Sequence, residues 1–250
     1  MNIVTASLSH IGRVRQRNED TAGFSRPTGR KEREERGSIF VVADGMGGHR
    51  GGDIASRIAV DTVIATYYAS NETNPKRALQ QSYSEANQAI LDKSRSEVDL
   101  FGMGTTCTTM VVINSDAYFA HVGDSRAYVL RDGELTQITE DHSLVGEMVK
   151  SGIISDEDAL NHPKRNVITR SLGTHPDLIA DFPASPFELK DGDVFLLCTD
   201  GLTSLVNDSE LREVLASQSP SDACNSLVER ANLAGGKDNI TVQVLHFSED

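Results

Sequence analysis

The chain has 250 residues, 38% of them hydrophobic and 24% charged, with a formal net charge of −13. That balance describes a soluble globular protein with room for one large domain and a full core. The surplus of carboxylates excludes nonspecific capture of nucleic acid, which needs a basic surface, and no apolar run reaches the ~18–20 residues of a membrane span.

The amino terminus, Met1-Asn-Ile-Val-Thr-Ala-Ser7, lacks the basic start and long apolar centre of a signal peptide, so the expected location is the cytoplasm. Cys107, Cys198 and Cys224 stand apart in apolar segments and read as buried thiols rather than disulfide partners or zinc ligands. No linker, repeat or low-complexity tract divides the chain, and a single domain over residues 1–250 is expected.

In chain order, Arg13, Arg15 and Arg17 come first. Alternation in a strand places the three on one face, where a guanidinium either grips a phosphate by two parallel hydrogen bonds or balances charge on a solvated surface. Residues 22–25 and 38–43 are strand-like, and the mixed-charge run 26–37 between them reads as a solvated loop. Apolar residues spaced by three and four predict helices over 53–69 and 75–96. Strands follow at 105–114, 117–122, 127–131 and 135–138, the last two joined by an Asp132-Gly133 turn. Residues 143–172 are polar and mixed, with short helical pieces at 144–151 and 156–160. After a strand at 193–199, Asn207 with Glu210, and Ser219 with Pro220 and Asp222, mark two helix starts. The last strand runs over 239–246. Consecutive strands on short turns imply antiparallel sheets with helices packed outside them.

Acidic residues cap these apolar runs: Glu19-Asp20, Asp44-Gly45, Asp124, Asp200-Gly201 and Asp238-Asn239. Carboxylates gathered at the edge of a sheet repel one another unless a cation neutralises them, and an all-oxygen set suits Mg²⁺ or Mn²⁺. Gly45 leaves a backbone carbonyl free to approach the same metal. Asp132-Gly133 and Asp191-Gly192 have no apolar run before them and read as plain turns. Gly123-Asp124-Ser125-Arg126 admits a second reading, a hairpin turn in which Arg126 pairs with Asp124. The seven histidines show no His-x₃-His spacing, which argues against a histidine zinc site.

Arg15-x-x-x-Glu19-Asp20, Asp44-Gly-Met-Gly-Gly48, Gly104-Thr-Thr106, Gly123-Asp-Ser-Arg126, Thr199-Asp-Gly-Leu202 and Asp238-Asn-Ile240 together resemble the metal-dependent Ser/Thr protein phosphatases of type 2C, the PPM family, in their compact bacterial form. The resemblance runs from Gly12 to Val244. It implies an α+β fold, a four-layer α/β/β/α sandwich of two antiparallel sheets flanked by helices. It implies two core Mn²⁺ or Mg²⁺ ions, with Asp44 bridging them, the Gly45 carbonyl on one, and Asp200 and Asp238 on the other. Glu19 then reaches the second ion through water, Asp20 supports that shell, and Asp124 with Asp200 forms a third, weaker position. Arg15 matches the substrate-phosphate arginine, and residues 143–170 match a flap beside the site.

Two positions depart from the pattern. Met46 stands where eukaryotic members carry a proton-donating His, which leaves water as the default acid. Ser204 stands where many members carry an Asp, which weakens the case for the third ion. The implied activity is hydrolysis of phosphoserine and phosphothreonine in proteins, with a cognate bacterial Ser/Thr kinase as the natural counterpart and a monomer as the default state. The alternative is a catalytically weak phosphoprotein-binding module of the same fold.

Overall fold

The computed structural model describes residues 2–47, 51–155, 158–159 and 162–249. Among these residues eleven strands form two antiparallel sheets. The first sheet has the order β1-β11-β10-β7-β8, with β1 Asn2–His10, β7 Arg126–Arg131, β8 Glu134–Gln137, β10 Val194–Cys198 and β11 Ile240–Ser248. The second has the order β2-β3-β5-β6-β9, with β2 Asp20–Ser25, β3 Ser38–Met46, β5 Cys107–Ile113, β6 Asp116–Val122 and β9 Phe187–Glu188. The short β4, Gly104–Thr105, pairs with the end of β3.

Three apolar clusters show how the layers stack. One lies between the sheets: Phe40, Val42, Met110 and Phe119 of the second sheet meet Val129, Phe195, Leu197, Leu245 and Phe247 of the first. A second packs helices α2, Gly52–Ala69, and α3, Pro75–Ser96, on Ile39, Val41, Ala43 and Val111. The third packs α6, Asp208–Ser217, and α7, Pro220–Leu233, on Leu196, Cys198, Val242 and Val244. Alternate residues of a strand feed opposite faces, so β3 and β10 each serve two clusters. The result is the expected helix–sheet–sheet–helix sandwich.

Local chemistry sets the helix ends. Asn207 accepts from the Glu210 amide while the Glu210 carboxylate accepts from the Asn207 amide, a complete capping box. Ser219 caps α7 ahead of Pro220. Shorter helices are α4, Leu144–Lys150, and α5, Asp200–Thr203.

Several expectations change. The mixed-charge run is no simple loop, since Arg30–Arg36 forms helix α1 with no buried residue. Its charges stand four apart, with Arg30 on Glu34 at 2.8 Å and Lys31 near Glu35 at 3.9 Å, spacing that stabilises an exposed helix. Arg13, Arg15 and Arg17 lie in the loop after β1, not in a strand. Strands β1 and β9 and helix α5 carry too little apolar periodicity to be read from sequence. The helical piece expected at 156–160 lies largely outside the described residues, as do Gly48 and His49. All three cysteines are buried, and burial pushes their thiols up to about 11 at Cys107 and Cys224 and about 12 at Cys198.

Candidate active site

Strand register brings the acidic residues to one end of the sandwich. In the antiparallel β2–β3 pair, Asp20 stands directly opposite Asp44, an arrangement of like charges that weakens a sheet. Cys198 pairs with both Val242 and Arg126, so Asp200 leaves β10 beside the start of β11 and the β6–β7 turn. Asp238 precedes the former and Asp124 lies in the latter.

Electrostatics confirms the gathering. Asp44 is held well above the usual carboxylate range, first by loss of solvent and then by repulsion from Asp20, Asp200, Asp124 and Asp238. Burial raises Asp20 to about 7 against hydrogen bonds from Thr241 and Thr199, with Asp200 and Asp238 adding to the rise. Burial and then Asp200 raise Asp124 to about 8. Asp200 is also raised, by burial and Asp238, and lies close enough to Asp44 for a hydrogen bond between the two. Glu19 is raised by burial and partly relieved by Arg15.

The backbone around these groups is tightly held. The Asp44 amide donates to Thr106 Oγ1 at 2.8 Å, and its carbonyl accepts from the Thr106 amide at 2.9 Å and Thr105 Oγ1 at 2.8 Å. Thr106 Oγ1 also meets Ser125 Oγ at 2.7 Å, tying β3 to the Asp124 turn. Thr199 Oγ1 donates to Asp20 Oδ2 at 2.9 Å and accepts from the Thr241 amide at 3.0 Å. Asn239 accepts from the Glu19 amide at 2.8 Å and donates to the Ile11 and Arg17 carbonyls, each at 2.9 Å. That clamp folds the arginine loop over the site, where Arg15 Nη2 lies 2.6 Å from Asp238 Oδ2. The Arg15 side chain is half exposed, so it faces solvent and the site together.

Gly45 also has a packing reason beside the one its sequence suggests. A Cβ there would lie 2.0 Å from the Gly52 carbonyl oxygen and 2.5 Å from that of Glu19, so glycine allows α2 and the Glu19 loop to close on β3. Gly123 has φ +110°, and a Cβ would meet Thr106 Cγ2 at 2.5 Å. The Arg126–Asp124 pairing considered from sequence does not form. Arg126 instead makes a bidentate pair with Asp141, Nε to Oδ1 at 2.9 Å and Nη2 to Oδ2 at 2.7 Å. Met46 pairs with Gly104, and the Ser204 amide donates to the Asp200 carbonyl at 2.8 Å as part of the α5 turn. Thr199 and Asn239 were visible only as neighbours of aspartates, and Thr106 only within Gly104-Thr-Thr106, because a hydroxyl or amide that orients a carboxylate leaves no periodic signal.

The donor set fits a hydrated divalent cation. Oδ1 of Asp20 and Oδ1 of Asp124 are buried with no hydrogen-bond partner, and buried carboxylate oxygens without a donor call for a cation or water. Among the described residues no group of three or more His, Cys, Asp or Glu side chains by itself makes a ready cage for an ion. Mg²⁺-like ions do not require one, since they keep several waters and take one or two carboxylates.

The sequence profile of protein phosphatase 2C matches residues 9–230. The serine/threonine phosphatase stp of Listeria monocytogenes is 42% identical over 236 residues, 92% of this chain and 90% of that one. Protein phosphatase PhpP of Streptococcus pneumoniae is 37% identical over 247 residues, 97% of each. The crystal structure of the Mycobacterium tuberculosis serine/threonine phosphatase PstP/Ppp matches with a TM-score of 0.87 and 34% identity over 99% of both chains. A structure of the catalytic domain of the serine/threonine protein phosphatase PstP in complex with two manganese ions matches at 0.85 and 33%, again over 99% of both. With the sandwich, the converging aspartates and these likenesses in agreement, the chain belongs to the protein phosphatase 2C family and is a hydrolase of that class.

Proposed function

We propose that this protein is a Mn²⁺- or Mg²⁺-dependent phosphatase of phosphoserine and phosphothreonine in proteins, acting as a single-domain monomer opposite a bacterial Ser/Thr kinase. The observation that carries the reading is the convergence of Asp20, Asp44, Asp124, Asp200 and Asp238, which repel one another and are only partly offset, among the described residues, by Arg15 and Arg126.

Asp44, with the Gly45 carbonyl, Asp200 and Asp238 would hold two core ions. Glu19 and Asp20 would orient the water around them, and Asp124 with Asp200 would form a third position. When bound, such ions lower the pKa of a shared water and screen charge on the phosphoryl oxygens. The chain's own contribution is placement. The Thr105–Thr106 clamp fixes Asp44, Thr199 aims one Asp20 oxygen, and Arg15 offers a planar guanidinium to the substrate's phosphate. Arg15 must exchange its Asp238 contact for phosphate. That exchange is cheap, because a half-exposed ion pair contributes at most about 1 kcal/mol. The buried thiols have no part in catalysis, since raised pKa values leave them protonated at neutral pH.

The test is hydrolysis of p-nitrophenyl phosphate and a phosphothreonine peptide with Mn²⁺, with Mg²⁺ and after EDTA, for wild type and Asp238→Ala. Metal-dependent release that vanishes with EDTA and in the variant is expected. No release with either metal would overturn the reading in favour of a binding module. Among the described residues no helix is long and apolar enough to cross a membrane.

A further inference from the structure

The proposed chemistry uses one of the three arginines in the loop after β1, and the other two stand beside it. Arg13, Arg15 and Arg17 are all exposed, and so is Lys237 in the turn between α7 and β11. The loop and the turn are bound to each other. The Arg13 amide donates to the Gly236 carbonyl at 2.7 Å, Arg15 Nη2 lies 2.6 Å from Asp238 Oδ2, and Asn239 Nδ2 donates to the Arg17 carbonyl at 2.9 Å. A Cβ on Gly236 would lie 3.1 Å from Arg13 Cγ, so the Arg13 stem runs over the residue next to Lys237. The four cations therefore share one rim of the acidic site, with Arg15 among them.

The surrounding charge is unlike that of the rest of the chain. Asp and Glu number 37 against 24 Lys and Arg, yet no acid occurs in residues 1–18 or 230–237. Among the described residues, Arg13, Arg17 and Lys237 make no ion pair and no side-chain hydrogen bond. The loop is held instead by its backbone, by Asn239 and by Arg15, so its shape does not depend on these three side chains. Glu19 is raised by burial, with Asp53 adding to the rise and Arg15 and Arg17 opposing it. Arg17 thus lies within electrostatic reach of the site, and part of its charge answers Glu19.

Reach decides what such a rim can touch. An extended chain advances at most about 3.6 Å per residue, which keeps the Cα atoms of Arg13 and Arg17 within about 7 Å of that of Arg15. A substrate peptide has the same pitch. With its phosphate on Arg15, the two or three residues on either side of the phosphorylated one pass over the other cations. A protein of net charge −13 repels an acidic peptide at long range, so local cations are needed to admit one.

We propose that Arg13, Arg17 and Lys237 are specificity-determining residues that select phosphoserine and phosphothreonine segments flanked by Asp or Glu. The inference rests on the phosphatase reading above and deepens it by naming the class of substrate.

The experiment measures kcat/KM of the full chain at saturating Mn²⁺ for three phosphothreonine peptides of equal length. They carry Asp, Ala or Lys at the two positions on each side of the phosphothreonine. An exposed ion pair shifts an equilibrium by up to about fivefold. Wild type is therefore expected to favour the Asp peptide over the Ala peptide by about fivefold, mainly through KM, and to use the Lys peptide least. In Arg13→Gln/Lys237→Gln the Asp-to-Ala ratio should fall below about twofold, while hydrolysis of p-nitrophenyl phosphate, which has no flanks, stays within about twofold of wild type. Arg13→Glu/Lys237→Glu should prefer the Lys peptide to the Asp peptide. A wild type that treats the Asp and Ala peptides alike, or a preference that survives in the Gln variant, would overturn the proposal. Equal loss on every substrate, p-nitrophenyl phosphate included, would make the residues structural and overturn it too. A wild type that hydrolyses nothing with any metal would defeat the phosphatase reading instead. Fluorescence anisotropy of the same peptides, labelled, would then decide the rim by the ratio of their affinities.

Discussion

The space between the two sheets has two ends built on opposite principles. At one end Phe40, Phe119, Phe195 and Phe247 interlock, with ring centroids 5.4 Å apart for Phe195–Phe247 and 6.2 Å for Phe119–Phe195. At the other end lie Asp20 of β2, Asp44 of β3, Thr199 just after β10 and Thr241 of β11, and just beyond them Asp124, Asp200 and Asp238. Along β3 the change takes four residues, from Phe40 through Val42 to Asp44. Phenylalanines stabilise by leaving water, whereas the carboxylates are destabilised by the same removal. The apolar end holds the sheets together firmly enough for the acidic end to remain a strained, cation-seeking site. His121 and Thr108 lie between the two, where polar groups are buried but satisfied: Thr108 Oγ1 meets His121 Nδ1 at 2.9 Å, and Nε2 faces the Gly123 and Glu140 carbonyls, each at 3.1 Å.

Substitutions at each end should separate activity from stability. The largest effect is expected from Asp44→Asn, which should lower phosphopeptide turnover by about 10³-fold or more, since Asp44 is the carboxylate proposed to hold both core ions. Steady-state kinetics at saturating Mn²⁺ checks this, and unchanged turnover would remove Asp44 from the site. At the apolar end Phe195→Ala should cost about 3–5 kcal/mol in urea unfolding, while turnover per folded molecule stays near wild type.

Between the ends, His121 titrates abnormally. Burial, and next the neighbouring His142, lower its pKa from 6.5 to about 4. The neutral ring is thus favoured in the folded state, and its contribution to stability is complete above about pH 6.5. As pH falls, the unfolded chain takes up the proton first, so stability declines between about 6.5 and 4, by on the order of 3 kcal/mol. Unfolding free energies measured across that range should lose this slope in His121→Gln, and an identical slope would assign it elsewhere. Arg15→Ala should raise KM for a phosphopeptide about tenfold with little change in melting temperature, because an exposed pair adds little to stability. The smallest effect belongs to the periphery. Asn207→Ala removes the α6 cap and should lower stability by about 1 kcal/mol without touching catalysis.

Much of this contrast was legible in the sequence. Val41-Val42-Ala43 before Asp44, and Leu196-Leu197-Cys198 before Thr199-Asp200, announce buried strands ending in carboxylates, and capping residues gave the starts of α6 and α7 to the residue. The pairing of Asp20 with Asp44 was not legible, because register depends on a partner strand rather than on local pattern. Strand β1 was missed because its small polar residues alternate only weakly. Helix α1 was missed because it buries nothing, so its sole signature is charge spacing. The pairing of Arg126 with Asp141 arises from side chains brought together by the fold, which no local spacing encodes.

The claim beneath all of this is that the acidic end is strained until cations discharge it. It is tested most directly by the unfolding temperatures of wild type and Asp44→Asn, each in EDTA and in Mn²⁺. The account predicts that Asp44→Asn melts above wild type in EDTA, at about 2–4 °C for each kcal/mol of repulsion relieved. It also predicts that Mn²⁺ raises the wild type by several such steps and the variant far less. A wild type that melts above the variant in EDTA and gains no more than the variant from Mn²⁺ would contradict it.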